Sequence, residues 1–380
     1  MDKPASSLDF SIISSINNIP KDDWDRLFPK DLIESWGYQK TLEEAGLREF
    51  TIRYLLAKRE GALVAIIPFF LMDFSFDTLV KGRLRQSVLA MQKRFKRFLK
   101  MKLIFLGSPT SEEFSFGASD KEDLSALLDG SIKKIAEFAR EEKAAGFLFN
   151  NISQNDARLT PYLKKRGFIE METLPTTSIE IKASTVEDYI QNLSKNCRKD
   201  LKRKLRRSSE FANLTTELRE DIGPIGERIY ELYLNNFKGA DVRFETLTRE
   251  FFENICANMP GVAKYFVTYE GGKIVAFNLC LAKGNVCIDK FVGFDDEVAR
   301  KYHLYFTTFY HNIDWCIKNG YRFYVTGTTD YYPKLRLGAR LVPLYIYAKS
   351  SNPLLHSLMR SLAGFIAPKK MDSFTQGTQD

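Results

Sequence analysis

The sequence predicts an α/β protein with mixed sheets, built as two units of similar design in tandem. Its 380 residues exceed the usual size of one domain, and at about 150 residues per domain they indicate two or more. Two glycines placed after predicted helices, Gly146 and Gly320, lie 174 positions apart, and Gly167 and Gly338 lie 171 apart. Similar offsets at two landmarks indicate duplication of one α/β unit. Two unrelated α/β domains of similar rhythm are the alternative.

The first half shows helix and strand patterns in a defined order. Ser35 is a suitable N-cap and Gly46 a suitable stop for one helix. The Glu60-Gly61 turn joins two strand patterns as a hairpin. In chain order we predict helices at 21–28 and 35–45, strands at 50–58, 63–72 and 102–106, a helix at 124–143, a strand at 147–150, a helix at 157–166 and a strand after Gly167.

The second half repeats this pattern. A Gly271-Gly272 turn predicts another hairpin, and Gly320 ends a long helix. In chain order we predict strands at 264–269, 274–282 and 286–292, a helix at 304–319, and strands at 321–326 and 341–347.

Composition excludes several classes of protein. The longest apolar stretch, 61–72, has 12 residues, fewer than the roughly 18 of a membrane-spanning helix. The N-terminus lacks a basic-then-apolar signal pattern, so we expect a cytoplasmic protein. The five cysteines include no Cys-x-x-Cys pair, which indicates reduced thiols in the core. With three histidines and no ligand spacing, neither a metal site nor a tightly bound cofactor is predicted.

Positive charge is concentrated in two segments. Residues 81–102 contain nine Lys and Arg and no acid, and residues 195–207 contain eight against one Asp. Because the whole chain has a net charge of +8, the remainder is acidic, at −8. Such a distribution indicates an anionic partner such as a phosphate, nucleic acid or acidic lipid.

Two segments have the pattern of amphipathic helices. In 81–102 an apolar stripe recurs at alternating spacings of four and three, formed by Leu84, Val88, Met91, Phe95 and Phe98. A second apolar-faced helix is predicted at 353–366, followed by Lys369 and Lys370. Such helices can lie on an acidic membrane surface or pack as lids on their own domain. On the first interpretation, 81–102 and 353–370 would bind the inner face of the membrane.

Four stretches carry motifs found together in one family. They are 36–46 (Trp-Gly-Tyr-Gln-Lys-Thr-Leu-Glu-Glu-Ala-Gly), 193–204 (Leu-Ser-Lys-Asn-Cys-Arg-Lys-Asp-Leu-Lys-Arg-Lys), 313–326 and 332–338 (Tyr-Pro-Lys-Leu-Arg-Leu-Gly). Their content and order resemble the FemAB-like aminoacyl- and acyltransferases, whose two halves have the acyl-CoA N-acyltransferase (GNAT) fold. The likeness spans residues 15–350.

The resemblance implies two tandem GNAT-like domains. The first would occupy 1–175 and contain the basic insertion 81–102, and the second would occupy 176–350 and carry the acyl-transfer site. An amphipathic helix and tail at 351–380 would follow. In a GNAT unit two neighbouring parallel strands separate, and the backbone groups exposed there hold the acyl donor.

The resemblance also implies an activity. Members of this family transfer an acyl or aminoacyl group to an amine and so form an amide. The co-substrate would be acyl-CoA or aminoacyl-tRNA, and the partners would be an amine-bearing acceptor, such as a cell-envelope or lipid-linked precursor, and tRNA.

Three residues are candidates for catalysis. In the resembling family the lysine matched by Lys334 lies at the transfer centre, where a cation would stabilise the oxyanion. We expect its charged end to face a wet cleft, and the alternative is a surface lysine after Pro333. Asp289 and Lys290 lie on the strand from Val286, where one of the two side chains should face inward. A carboxylate there could take the proton of the attacking amine, and an edge ion pair is the alternative.

Other residues are candidates for binding donor or acceptor. The basic helix could grip a phosphate, and the loop after the strand at 321–326 could line the acceptor site. The alternatives are a solvated basic face, loop-capping tyrosines and a structural histidine. The set is Arg198, Arg203, Arg300, His303, Tyr324, Asp330, Tyr331, Tyr332 and Arg336.

A non-catalytic protein is the alternative from a different class. A GNAT-like module without activity would recognise a phosphate-bearing envelope precursor or an anionic membrane through its basic helices. Two departures support it. The strand aspartate of the family motif is replaced by Val325 or Thr326. The segment 293–303 also lacks the glycines with which CoA-dependent members hold the pyrophosphate.

Overall fold

Two mixed β-sheets organise the protein, the first built mainly from the first half of the chain and the second from the second half. The computed structural model describes residues 7–75, 100–154, 156–211, 213–239 and 246–366. The predicted α/β architecture with mixed sheets is confirmed.

The elements follow one another as helices, hairpins and crossovers. The first half contains β1 (Leu8–Ile13), α1 (Lys21–Leu27), α2 (Trp36–Glu44), β2 (Thr51–Arg59), β3 (Ala62–Ser75), β4 (Lys100–Leu106), β5 (Gly117–Ala118), α3 (Leu124–Glu141), β6 (Gly146–Ser153), α4 (Leu159–Lys165) and β7 (Ile169–Glu172). The second half contains β8 (Thr176–Glu180), α5 (Val186–Gln191), α6 (Lys195–Phe211), β9 (Leu214–Arg219), α7 (Gly226–Gly239), α8 (Arg249–Asn258), β10 (Ala263–Glu270), β11 (Lys273–Lys283), β12 (Val286–Phe294), α9 (Asp296–Tyr302), α10 (Leu304–Lys318), β13 (Phe323–Val325), α11 (Tyr331–Arg336), β14 (Arg340–Val342), β15 (Leu344–Lys349) and α12 (Pro353–Ile366).

One strand from the second half of the chain joins the first sheet. The first has the order β1-β2-β3-β4-β6-β15-β7, with β5 paired to β3, and the second has the order β14-β8-β13-β12-β11-β10-β9. The chain passes from the first sheet to the second between β7, which ends at Glu172, and β8, which begins at Thr176. Strand β15 then returns to the first sheet and lies antiparallel between β6 and β7. Residues 176–350 therefore supply the strands of the second sheet and also one strand, β15, of the first.

Both halves contain a hairpin followed by a parallel crossover. Strands β2 and β3 form the first hairpin, and β4 pairs in parallel with β6 across helix α3. Strands β10 and β11 form the second hairpin, and β12 pairs in parallel with β13 across helices α9 and α10. This correspondence agrees with the repeat predicted from glycine spacing, although one landmark has another cause.

Gly146 is not a helix stop, contrary to the sequence prediction. Helix α3 ends at Glu141, and Lys143 takes the left-handed conformation after it, with φ of 56°. Gly146 instead begins β6, where a Cβ would lie 2.7 Å from the carbonyl oxygen of Lys349 in β15. The absence of a side chain at Gly146 therefore allows β15 to pack closely against β6. Gly320 does follow its helix with a φ of 75°, as predicted.

A continuous hydrophobic core joins the two halves. Trp24 and Tyr38 of the first half and Phe252 and Phe277 of the second are buried in one cluster. Helices α2 and α8 pack closely, since a Cβ on Gly37 would overlap the backbone carbonyl of Asn258. Because so much apolar surface is shared, the halves are held in a fixed arrangement.

Several elements differ from the sequence prediction. Strand β1 and helices α7 and α8 were not predicted. Residues 100–102 begin β4, and the rest of the predicted amphipathic helix at 81–102 lies outside the described residues. The predicted tail helix is α12, which packs against β7 and leaves Leu354 83% exposed. In the parts of the chain described, no helix has the length and apolar character to cross a membrane.

Candidate transfer site

The candidate site lies where β12 and β13 separate. These parallel strands pair only from Val286 opposite Phe323 to Ile288 opposite Val325. Beyond that point β12 continues along β11 to Phe294. The chain after β13 instead stays beside β8, where the Thr326 N–H donates to the Thr177 carbonyl at 2.9 Å. The first residue past the pairing is Asp289. The predicted separated strands thus open directly beside the predicted carboxylate.

A β-bulge at Lys290 changes the direction of the side chains that follow. Leu279 lies opposite Phe291 and Cys280 opposite Asp289, so Lys290 is the extra residue in β12. The expectation that only one of Asp289 and Lys290 faces inward is therefore wrong. The bulge interrupts the alternation, and both side chains reach buried partners.

Asp289 lies in a hydrogen-bonded polar group. Asn278 Nδ2 lies 3.1 and 3.0 Å from the two carboxylate oxygens, and the Tyr324 hydroxyl donates to Oδ2 at 2.8 Å. Asn312 Nδ2 donates in turn to the Tyr324 oxygen at 3.0 Å. Burial raises the pKa of Asp289 to about 6, although these hydrogen bonds and the charge of Lys334 act to lower it. The carboxylate can therefore accept and return a proton near neutral pH.

Lys334 lies on α11 and is buried, with 7% of its surface exposed. Its Nζ donates to the carbonyl oxygens of Gly327 at 3.3 Å and Thr328 at 3.1 Å. The expectation that its charged end faces a wet cleft is therefore wrong. Burial lowers the pKa of Lys334 to about 8, and the nearby negative charges of Asp289, Asp330 and Glu112 offset part of that effect.

The loop between β13 and α11 has unusual backbone geometry. Gly327, Thr329 and Asp330 have φ values of 68°, 66° and 44°. A β-branched threonine rarely adopts the left-handed conformation, so this loop is held by its surroundings. The Lys334 ammonium is one of the groups that hold it. Tyr331 OH, which donates to Pro175 O at 2.8 Å, anchors the start of α11.

Lys290 forms a buried ion pair with the first half. Its Nζ lies 2.8 Å from Glu112 Oε1, with the two side chains 4% and 16% exposed, and it also donates to Thr110 O. Although burial acts to lower the pKa of Lys290, the Glu112 charge raises it above its ordinary value. Sequence reasoning missed Glu112, because a Ser-Glu-Glu run in a Gly/Ser/Pro loop is typical of any exposed loop.

His303 lies beside the basic helix α6. It joins α9 to α10 with a φ of 55°, and its buried Nε2 has no hydrogen-bond partner among the described residues. Burial lowers the pKa of this imidazole. The positive charges of Lys204, Arg207 and Arg203 lower it further. No side chain caps the N-terminus of α10. Cations, an imidazole nitrogen and a helix N-terminus therefore converge, as in sites that bind phosphate.

The cations of helix α6 form a surface that we call the basic face. The remaining arginines predicted to bind donor or acceptor lie around it. Arg336 contacts the hydroxyl of Tyr332 at 3.3 Å and Asp200 of α6 at 3.5 Å. Arg198 Nη1 donates to Gln191 O at 2.6 Å, which fixes it at the start of α6. Arg300 stays on the exposed side of α9, where its Nε donates to Asp296 O. Within the described ranges no group of three potential ligands is arranged to hold a metal ion.

Comparisons with known proteins support the fold. The family model "Acetyltransferase (GNAT) domain" matches residues 195–334, which include Asp289 and Lys334. A search of curated proteins found no match. The crystal structure of FemX is similar over 92% of this chain and 100% of its own, with a TM-score of 0.57 and 14% identity.

Two further solved structures are similar over nearly their whole length. The C-terminal domain (DUF2156) of a protein assigned as a lysylphosphatidylglycerol synthetase from Agrobacterium fabrum has a TM-score of 0.54 and 14% identity, covering 90% of this chain and 96% of that chain. A tandem GNAT protein from the clavulanic acid biosynthesis pathway has a TM-score of 0.54 and 10% identity, covering 91% and 99%. The chain therefore has the GNAT fold, built as two GNAT-like halves, with a GNAT acetyltransferase domain matched over residues 195–334.

Proposed function

We propose that this protein is an N-acyl- or aminoacyltransferase that forms an amide on an amine acceptor, with its transfer centre between Asp289 and Lys334. One observation carries the proposal. At the separation of β12 and β13, a carboxyl with a pKa raised to about 6 lies in the field of an ammonium with a pKa lowered to about 8. Groups poised on either side of neutrality are those that acid–base chemistry at pH 7 requires.

The reaction follows from these two groups. The amine nitrogen attacks the donor carbonyl carbon, which forms the C–N bond and places a negative charge on oxygen. The ammonium of Lys334 stabilises that oxyanion. Asp289 takes the proton that the attacking nitrogen loses. As the intermediate collapses, the bond from carbon to the leaving sulfur or oxygen breaks, and the Asp289 proton passes to the leaving group. Tyr324 and Asn278 hold the carboxylate in place through their hydrogen bonds to it.

The donor would bind through its phosphates at the basic face. His303 Nε2, the N-terminus of α10 and the cations of α6 support this assignment. Both candidate donors, acyl-CoA and aminoacyl-tRNA, carry phosphates. The missing glycines at 293–303 favour contacts from side chains over a backbone cradle.

The acceptor would be an amine of a cell-envelope or lipid-linked precursor. Fold similarity to FemX and to a lysylphosphatidylglycerol synthetase domain supports an envelope acceptor. Exposed Leu354 and Leu358 on α12 support a peripheral site on an acidic membrane, where such an acceptor is found.

The proposal is tested by offering donors and acceptors to the purified protein. Acetyl- and longer acyl-CoA esters and charged tRNA would each be incubated with a panel of amines, and product would be detected by its mass shift. We expect amide product from one donor class with the wild type, and its loss in Lys334→Ala. Binding of a donor without transfer to any amine would instead support the non-catalytic module.

A further inference from the structure

Glu112 belongs to the first half but contacts residues that adjoin both groups of the proposed transfer centre, Asp289 and Lys334. It sits in the loop between β4 and β5, and its Oε2 accepts a hydrogen bond from Thr176 Oγ1 at 3.2 Å. Its Oε1 pairs with Lys290 Nζ at 2.8 Å. Its two oxygens also lie 3.9 and 4.0 Å from where a Cβ on Gly327 would be. No sequence motif and no comparison assigns this residue.

These contacts connect Glu112 to Asp289 and Lys334 through one intermediate each. Lys290 is the residue next to Asp289 on the bulged strand, so the ion pair fixes the strand where the carboxylate leaves it. Gly327 provides one of the two carbonyls that accept from Lys334 Nζ, so the same carboxylate borders the loop that holds the ammonium.

We propose that Glu112 is a positioning residue of the transfer site, which sets the place of Asp289 through Lys290 and that of Lys334 through the Gly327 loop. The effect of Glu112 on catalysis rests on the proposed function. The electrostatic coupling of Glu112 to Lys334 across the two halves does not depend on that function. The first half is then part of the site, and the shared core keeps the site assembled.

Electrostatics agree with this geometry. Three carboxylates face Lys334 from three different elements: Asp289 from β12, Asp330 from the start of α11, and Glu112 from the first half. Although burial acts to raise the pKa of Glu112, Lys290 and then Lys334 lower it, so Glu112 is charged at neutral pH. Glu34 and Glu113 lie close to it, and burial raises the pKa of both.

The first experiment needs no substrate. The free energy of unfolding would be measured in urea from pH 7 to 10.5 for the wild type and Glu112→Gln, each with and without Lys334→Met. The difference between each pair isolates the contribution of Lys334. In the wild type the contribution of Lys334 to the free energy of unfolding should begin to rise at about pH 8. In Glu112→Gln we expect this onset to lie lower, by a few tenths of a pH unit to about 1, because a negative charge near the ammonium is lost. An unchanged onset would overturn the coupling.

Glu122→Gln is the matched control for this series. Glu122 belongs to the same half and pairs with Arg59 at 2.7 Å, with its side chain 8% exposed. Because it does not contact Gly327 or Lys290, its substitution should leave the onset of the Lys334 contribution unchanged.

The second experiment separates positioning from simple structural support. Glu112→Gln leaves the Lys290 charge buried without its partner and should destabilise the fold. Glu112→Gln with Lys290→Met removes that charge and should recover stability. Turnover should nevertheless remain at least about 10-fold below that of the wild type, because misplaced groups react slowly, while donor KM changes little.

Recovery of full turnover in the double variant would reduce Glu112 to a structural role. If the wild type transfers no acyl group to any acceptor, the proposed function fails, and the unfolding series still decides whether Glu112 is coupled to Lys334.

Discussion

Lys334 should make the protein more stable as the pH rises above 8, and Lys334→Met should abolish that gain. In the unfolded chain this lysine holds its proton up to about 10.5, whereas in the folded protein it releases it at about 8. Between these values the unfolded state binds more protons, so the free energy of unfolding increases with pH. Below pH 8 Lys334 is charged and buried in the folded protein, and the full free-energy cost of burying that charge lowers the stability.

The magnitude follows from the gap between 10.5 and 8, which corresponds to about 3 kcal/mol at full development. About 2 kcal/mol of this should be visible by pH 9.5. At pH 7 two effects of Lys334→Met oppose one another. The variant relieves the buried charge, but it deprives the carbonyls of Gly327 and Thr328 of their donor, at about 1–3 kcal/mol for each unsatisfied group. The informative quantity is therefore the change with pH.

The assay is urea unfolding of both proteins at pH 7, 8, 9 and 9.5, followed by circular dichroism. The difference between wild type and variant cancels the tyrosines and other lysines that titrate in both. Lys318→Met serves as the control, because Lys318 is 70% exposed and its exposed pairing with Asp314 raises its pKa. A difference that stays constant within about 0.5 kcal/mol from pH 7 to 9.5 would refute the claim that the folded protein lowers the pKa of Lys334.

Four further predictions test the site and the contact between the halves. Turnover should depend on pH as a bell with limbs near 6 and 8, since Asp289 must be ionised and Lys334 protonated, and rate measurements across pH 5 to 9.5 would show a single limb or none if the assignment is wrong. Tyr324→Phe should move the acid limb to higher pH, because the hydrogen bond it removes lowers the pKa of Asp289; a limb that stays in place contradicts this. Arg203→Ala should raise the Kd for the phosphate-bearing donor several-fold with saturated turnover close to normal, as titration calorimetry and kinetics can establish, whereas a selective loss of turnover would exclude a binding role. Gly37→Ala should lower the free energy of unfolding by about 1–3 kcal/mol, because its Cβ would overlap a backbone carbonyl of α8, and a neutral effect in urea unfolding would mean that α2 and α8 separate freely.

The features that could be predicted from the sequence depend on interactions between residues close together in the chain. Helix α10 and the glycine after it were predictable, because Gly320 adopts a conformation that other residues resist. The basic helix was predictable because its apolar residues recur at helical spacing among cations. The motif around Lys334 could be found because its residues are consecutive in the chain, and its assignment to the transfer site stays a prediction.

The sequence by itself therefore determined the mixed α/β class, the hairpin and crossover in each half, and the basic helix. Only the tertiary structure decided that β15 crosses into the first sheet, that Lys334 is buried, and that Glu112 pairs with Lys290. The reason is that these features join residues far apart in sequence: Glu112 and Lys290 are separated by 178 positions. Periodicity and capping report interactions within a few residues, whereas strand order, burial and ion pairs across the halves depend on how complete sheets pack.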